Sequence, residues 1–126
     1  RAFGETNFSD GTPNPNYLKE RQLFVNTMED LYPNITCIVQ GEAAGADRLA
    51  KVYGNHFGIE VKGYPADWNT YGKRAGPLRN EFQLNDNPDI ELVLAFLQDG
   101  LSNKGTRGMV KLAKAADKEV REYVTS

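Results

Sequence analysis

Ile90-Glu-Leu-Val-Leu-Ala-Phe96 decides the fold. It is the most apolar stretch of the chain, opened by the turn Pro88-Asp89 and followed by a loop from Leu97 to Gly105. A run this apolar, broken only by Glu91, reads as a strand buried on both faces, which is the central position of a parallel sheet. A helix is expected after it, over about Thr106 to Ala116, and then a more polar edge strand from Glu119 to Val124. The same alternation holds upstream. Leu18, Phe24, Val25, Met28 and Leu31 recur at helical spacing from Tyr17 to Tyr32, and Pro33-Asn34 ends that helix. Ile35 to Val39 reads as a buried strand and Gly41 to Gly45 as a turn. A helix follows over Ala46 to Phe57, with Leu49, Ala50, Tyr53 and Phe57 on one face and Gly58 as its stop. Ile59 to Tyr64 is the next strand, and Pro77 to Leu84 a helix with proline in its first turn.

Strands alternating with helices predict an α/β domain: a Rossmann-like three-layer α/β/α arrangement around a mainly parallel sheet, one domain over 1–126. The first sixteen residues, rich in Gly, Asn, Ser and Pro, read as a loop. Domains of this pattern usually open with a strand. The first strand is therefore expected upstream of Arg1, the alternative being a fold that begins with a helix.

The bulk composition narrows the function. At 126 residues, 40% hydrophobic and 25% charged, the chain matches an ordinary soluble domain with one core. Its longest apolar run, Leu92 to Leu97, is too short to cross a membrane. The net charge of −2 argues against broad nucleic-acid binding. Cys37, the sole cysteine, excludes an internal disulfide and a cysteine-based zinc site, fits a reducing, cytoplasmic setting, and reads as a buried small hydrophobe. His56 is the sole histidine, so no metal site is expected. Composition leaves a homo-oligomer open.

Chemistry concentrates in three segments, each following an expected strand and leading into a helix. They are Gly41-Glu-Ala-Ala-Gly-Ala-Asp-Arg48, Tyr64 to Asn80, and Gly100 to Gly108. Loops leaving parallel strands share the carboxyl edge, where ligands of such sheets bind. Helix N-termini there offer free N–H groups and a partial positive charge to an anion. Gly41 and Gly45 fit either a phosphate contact or a tight turn alone. Asp47 fits either a ribose hydroxyl or simple stabilisation of the helix dipole. Lys104, Gly105, Thr106 and Arg107 lean towards a phosphate cradle. The middle segment holds Asp67, Trp68, Tyr71, Lys73, Arg74, Arg79 and Asn80: rings that could stack on a base, and cations that could meet phosphate. Arg79 stands out, because a cation just inside a helix N-terminus is electrostatically unfavourable and a bound anion would relieve it.

Gly41-x-x-x-Gly45-Ala-Asp47-Arg-Leu-Ala50, Tyr64-Pro-Ala-Asp-Trp68, Gly72-x-x-Ala75-Gly-Pro-Leu-Arg-Asn80, Ala95-Phe96 and Lys104-Gly-Thr106 together resemble the YspA (cpYpsA-related) family of the SLOG superfamily. The resemblance runs in order from about residue 35 to the C-terminus. It implies a Rossmann-like fold and a nucleotide-related ligand, with Arg1 in the place of an arginine that closes the first strand. Related LOG phosphoribohydrolases carry a Gly-Thr followed by a catalytic glutamate; Gly105-Thr106 match the pair, but Met109 stands at the glutamate. A thioether cannot act as acid or base. The leading expectation is therefore a module that binds a nucleotide or a NAD- or ADP-ribose-like ligand as sensor or carrier. A hydrolase of an N-glycosidic or phosphate bond is second, with Asp47, Asp67, Glu42 and Arg79 as candidates. A DprA-like single-stranded DNA binder is third, disfavoured by the acidic balance.

Overall fold

The computed structural model describes residues 3–8, 10–98, 100–101 and 103–125. Arg1, expected to touch ligand, lies outside them.

Helix α1 spans Tyr17–Leu31. Phe24 and Met28, four residues apart, project from one face and are both buried. The helix gives way to a 3₁₀ turn, Tyr32–Asn34, in which the Ile35 N–H donates to the Tyr32 carbonyl at 3.2 Å. That turn delays strand β1 to Cys37–Gln40, two residues later than its apolar sequence begins. Helix α2, Ala46–Phe57, then crosses to strand β2, Glu60–Gly63. β1 and β2 pair in parallel, Cys37 opposite Glu60 and Gln40 opposite Gly63. Gly54 lets this crossover sit close: a Cβ there would overlap Val61 Cγ2 and press on Ile38 Cδ1 at 3.2 Å. Gly58 ends α2 in the left-handed conformation, φ +69°, as its sequence position suggests.

The second half repeats the plan. Strand β3, Leu92–Gln98, is followed by helix α5, Lys104–Ala115, and strand β4, Glu119–Thr125. β3 and β4 are also parallel, in register from Leu92–Glu119 to Gln98–Thr125. The halves are linked by a short helix α3, Trp68–Tyr71, a 3₁₀ turn, Gly72–Arg74, and helix α4, Ala75–Asn85. β3 starts later than Ile90 because the Ile90 N–H closes a turn on the Asn87 carbonyl, 3.2 Å.

The fold is thus mixed α/β with helical crossovers between parallel strands. One departure from expectation stands out. The described strands form two separate two-stranded sheets, β1–β2 and β3–β4, rather than one. No strand among the described residues lies between β1 and β3 to hydrogen-bond both. The two halves still share one apolar cluster: Phe3, Phe24, Met28, Ile38, Tyr53 and Phe96, with Leu94, Val61 and Tyr123 against it. Phe96 is its hub, with ring centroids 5.2 Å from Phe3, 5.1 Å from Phe24 and 5.3 Å from Tyr123.

The N-terminal loop is tied down by a buried carboxylate. Glu20, only 1% exposed, accepts from the Gly4 N–H (2.9 Å) and Asn14 Nδ2 (2.8 Å) on one oxygen. Its other oxygen accepts from Gln98 Nε2 (3.0 Å) and Thr125 Oγ1 (3.3 Å). One side chain therefore joins the loop, α1, β3 and β4. Some apolar residues stay outside the core: Leu18, Val25 and Phe57 are exposed, and Cys37 is half-buried rather than enclosed.

Candidate ligand cleft beyond the strand ends

The three segments leave β1, β2 and β3 at their carboxyl ends, and Arg79 of α4 joins the first two. Its guanidinium donates to the Gly41 carbonyl, just past β1, and to the Tyr64 carbonyl, just past β2, at 3.4 Å. Its Nε donates to Asn80 Oδ1 at 3.0 Å. Asn80 in turn donates to the Gly105 carbonyl in the first turn of α5, 3.3 Å. Arg79 and Asn80, both buried, thus link all three segments.

This changes the reading of Arg79. Helix α4 begins at Ala75, not Pro77, so Arg79 sits in its second turn, away from the positive end of the helix dipole. The electrostatic conflict inferred from sequence is smaller than expected. At 7% exposure, with donors on the Gly41 and Tyr64 carbonyls, Arg79 helps position the loops.

Gly41, Gly45, Asp47, Trp68, Lys73, Arg79, Asn80, Lys104, Gly105 and Thr106 all line one cleft. Tyr71 and Asp67 do not; both are exposed beside it. Asp67 instead caps α3, accepting from the Thr70 N–H at 3.1 Å. The cleft measures about 2010 Å³. That exceeds the roughly 300–1,000 Å³ of a small-molecule pocket, so it comprises more than a ligand site. It runs from the loops down between β1 and β3, past Cys37, Val39, Leu92 and Leu94.

The glycine turn is filled from within. The Gly45 N–H donates to Glu5 Oε1 (3.2 Å), and the Ala43 N–H to Asp47 Oδ2 (3.3 Å). The Glu42 N–H donates to Gln40 Oε1 (2.6 Å). Glu5, also paired with Arg48 at 3.4 Å, takes up the Gly45 N–H, which the sequence left open between a phosphate contact and a tight turn alone. Gly41 must be glycine for another reason. A Cβ there would meet the Arg79 guanidinium at 2.5 Å and Asp47 Oδ2 at 3.0 Å. Glu42 lies across Gly63, where a Cβ would overlap its carboxylate, and holds Gln40 Nε2 (2.8 Å) and Lys51 Nζ (3.0 Å). The Lys51 bond and then the Gln40 bond hold its carboxyl below the usual range.

The other wall is open. Trp68 is 58% exposed, its ring edge 3.2 Å from where a Gly76 Cβ would stand. Lys73 and Lys104 are exposed, and Thr106 half-buried in the first turn of α5. Among the described residues no side chain caps that helix, which leaves its leading N–H groups to other partners. Asn103 is the residue sequence reasoning missed. In left-handed conformation at φ 49°, it accepts from the Gln98 N–H (2.9 Å) and donates to the Gln98 carbonyl (2.8 Å). It mimics a strand partner at the end of β3 and sets the start of α5. The signal was an Asn two residues before Gly105, since Asn tolerates that conformation. No metal-binding group of His, Cys, Asp or Glu forms among the described residues.

Comparison with family models, curated proteins and solved structures finds no match for the chain. No helix among the described residues is long and apolar enough to cross a membrane.

Proposed function

We propose that the cleft holds a nucleotide or a nucleotide-derived ligand, NAD- or ADP-ribose-like, at the carboxyl ends of the strands of a Rossmann-like domain of the YspA type. One observation carries this reading: residues chosen from three separate sequence segments as ring, cation and glycine contacts line a single cleft. Trp68 offers an exposed ring for a base or ribose to stack on. The first turn of α5 offers N–H groups and the Thr106 hydroxyl to phosphate, with Lys104 and Lys73 adding charge. Arg79 and Asn80 hold the walls, and Asp47 is a candidate for a ribose hydroxyl. Binding rather than cleavage is favoured by the carboxylates. Glu42 is engaged by Lys51 and Gln40, Asp67 caps α3, and Asp47 accepts from the Ala43 N–H.

Trp68 is the chain's single tryptophan, so its fluorescence reports the cleft directly. Titration with AMP, NAD and ADP-ribose is expected to quench it, with matching heat in calorimetry. Lys104→Ala and Thr106→Val are expected to weaken binding together, each by about tenfold on loss of a charged or hydrogen-bonded phosphate contact. Absence of both quenching and heat for all three ligands would refute the reading.

A further inference from the structure

Helix α4 is inside out. Its buried residues are Ala75, Arg79, Asn80, Gln83 and Leu84, and three of these are polar. Its outward face carries apolar side chains instead. Leu78, Glu81, Phe82 and Asn85 share that face at helical spacing, with Pro77 beside them. Leu78 is half-buried and the others are exposed. Phe82 is 61% exposed, and its one ring contact among the described residues is with Tyr64, edge-on at 5.7 Å. Elsewhere exposed rings cover one another: Tyr32 and Phe57 stand 5.0 Å apart, with Tyr53 4.6 Å from Phe57. A helix that buries amides and a guanidinium while presenting proline, leucine and phenylalanine to water has the pattern of an interaction surface.

The charges along this face say what covers it. Arg74 precedes the first turn of α4, while Glu81 lies in its second half and Asp86 caps its end. The helix dipole favours the reverse order, so these charges do not serve the isolated helix. Arg74 and Glu81 are exposed and make no ion pair among the described residues. A second α4 laid antiparallel corrects both ends: its acids come to the amino end and its arginine to the carboxyl end. Arg74 has helical φ and ψ, so the helical register extends back to it. A two-fold axis between Pro77 and Leu78 therefore sets Arg74 of each copy opposite Glu81 of the other, because both lie equally far from it along the helix. Phe82 then falls within reach of the other copy's Arg74, and a guanidinium over an aromatic face is favourable.

We propose that the outward face of α4 is the contact of a two-fold homodimer, with a second copy of this chain as its occupant. A two-fold contact uses one surface twice, so a single self-complementary face covers both Phe82 rings and forms the Arg74–Glu81 pair twice. Pro77 and Glu81 also line the cleft, so the second copy stands at its rim. The contact uses Arg74, Leu78, Glu81 and Phe82, none of which is among the ligand contacts proposed above.

Sedimentation of the 126-residue chain from micromolar to submillimolar concentration is expected to show a monomer–dimer equilibrium. Phe82→Asp, Arg74→Glu and Glu81→Arg are each expected to weaken it at least about tenfold, as loss of a central anchor or an interfacial charge pair does. Arg74→Glu and Glu81→Arg combined exchange the signs and keep the pair, so the double variant is expected to dimerise within about threefold of wild type. Circular dichroism melts check that each variant folds. The charge reversals test the contact without touching Phe82, should aspartate there disturb Tyr64. A chain that stays monomeric at every concentration would overturn the proposal. So would a dimer indifferent to both charge reversals, which must use another face, or a double reversal no better than either single one, since the two charges would then not meet.

Discussion

Glu20 offers the sharpest test of what holds the N-terminal loop to the sheet. Its carboxylate is almost fully buried and receives four hydrogen bonds, all from neutral donors: a backbone N–H, two amides and a hydroxyl. Glu20→Ala removes the acceptor from all four. Bonds to a charged group contribute about 1.5–3 kcal/mol each, but they are not additive, and Asn14 and Thr125 can turn towards other partners. The Gly4 N–H is backbone and cannot turn away, and the Gln98 amide is buried. Two deserted buried donors at about 1–3 kcal/mol each, together with lost packing, give an expected cost of about 3–5 kcal/mol. Glu20→Gln should be milder. One amide oxygen can still accept from Gly4 and Asn14, while the new NH₂ donates to a Gln98 amide turned end for end and to the Thr125 hydroxyl. Loss of charge assistance alone should cost about 1–2 kcal/mol. Urea unfolding followed by circular dichroism reads both variants as shifts in midpoint at unchanged slope. A cavity of about 150 Å³ adjoins Glu20. If water entering it satisfied the same donors, Glu20→Ala would cost under about 1 kcal/mol, and the carboxylate would not be the anchor described.

Two glycine substitutions should separate crowding from backbone conformation. Gly54→Ala is expected to destabilise by about 1–3 kcal/mol, because its Cβ overlaps Val61 and the helix–strand contact must widen, despite the better helix propensity of alanine. Gly58→Ala has open space around it but φ +69°, so the left-handed conformation alone should cost about 1–2 kcal/mol. Thermal melts of both check this; a neutral Gly54→Ala would mean α2 is free to move off the strands. Asp67→Ala removes the cap of α3 and should destabilise that segment by about 0.5–2 kcal/mol, seen as a red shift of Trp68 emission with little change in global unfolding. Glu42 gives a pH signature. Its carboxyl is held below the ordinary glutamate range by Lys51 and then Gln40, so its contribution is present above that range and lost as pH falls below it. Wild type should therefore exceed Glu42→Gln in urea midpoint at pH 7 and converge with it in strong acid. A gap of constant size would refute the assignment.

The order of helices and strands was legible because each apolar run carries its own period. Phe24 and Met28, and Tyr53, fell where helical spacing put them. Boundaries moved where a backbone bond settled them: Ile35 N–H on Tyr32, Ile90 N–H on Asn87, and the Asn103 side chain on Gln98. Sequence patterning does not encode such bonds. The cleft was legible as a set of residue types following strands, which topology gathers regardless of detail. What each residue does was not. Arg79 was read as an anion contact because its neighbours in sequence suggested a helix start. Its guanidinium donates to the Gly41 and Tyr64 carbonyls, 38 and 15 positions away. Asp67, read as a ligand contact, also caps α3. Glu5, unread, sits on the Gly45 N–H from 40 positions away.

Glu42 lying across Gly63 places a rule on how this sequence can vary. Gly63 pairs with Gln40 at the end of the β1–β2 ladder, and the carboxylate of Glu42, two residues beyond, fills the volume a side chain at 63 would need. A side chain at position 63 therefore forces the Glu42 side chain either to swing out towards solvent or to shorten, and in both cases Lys51 and Gln40 lose their shared acceptor. In relatives of this chain, replacements at 63 should be accompanied by changes at 40, 42 or 51.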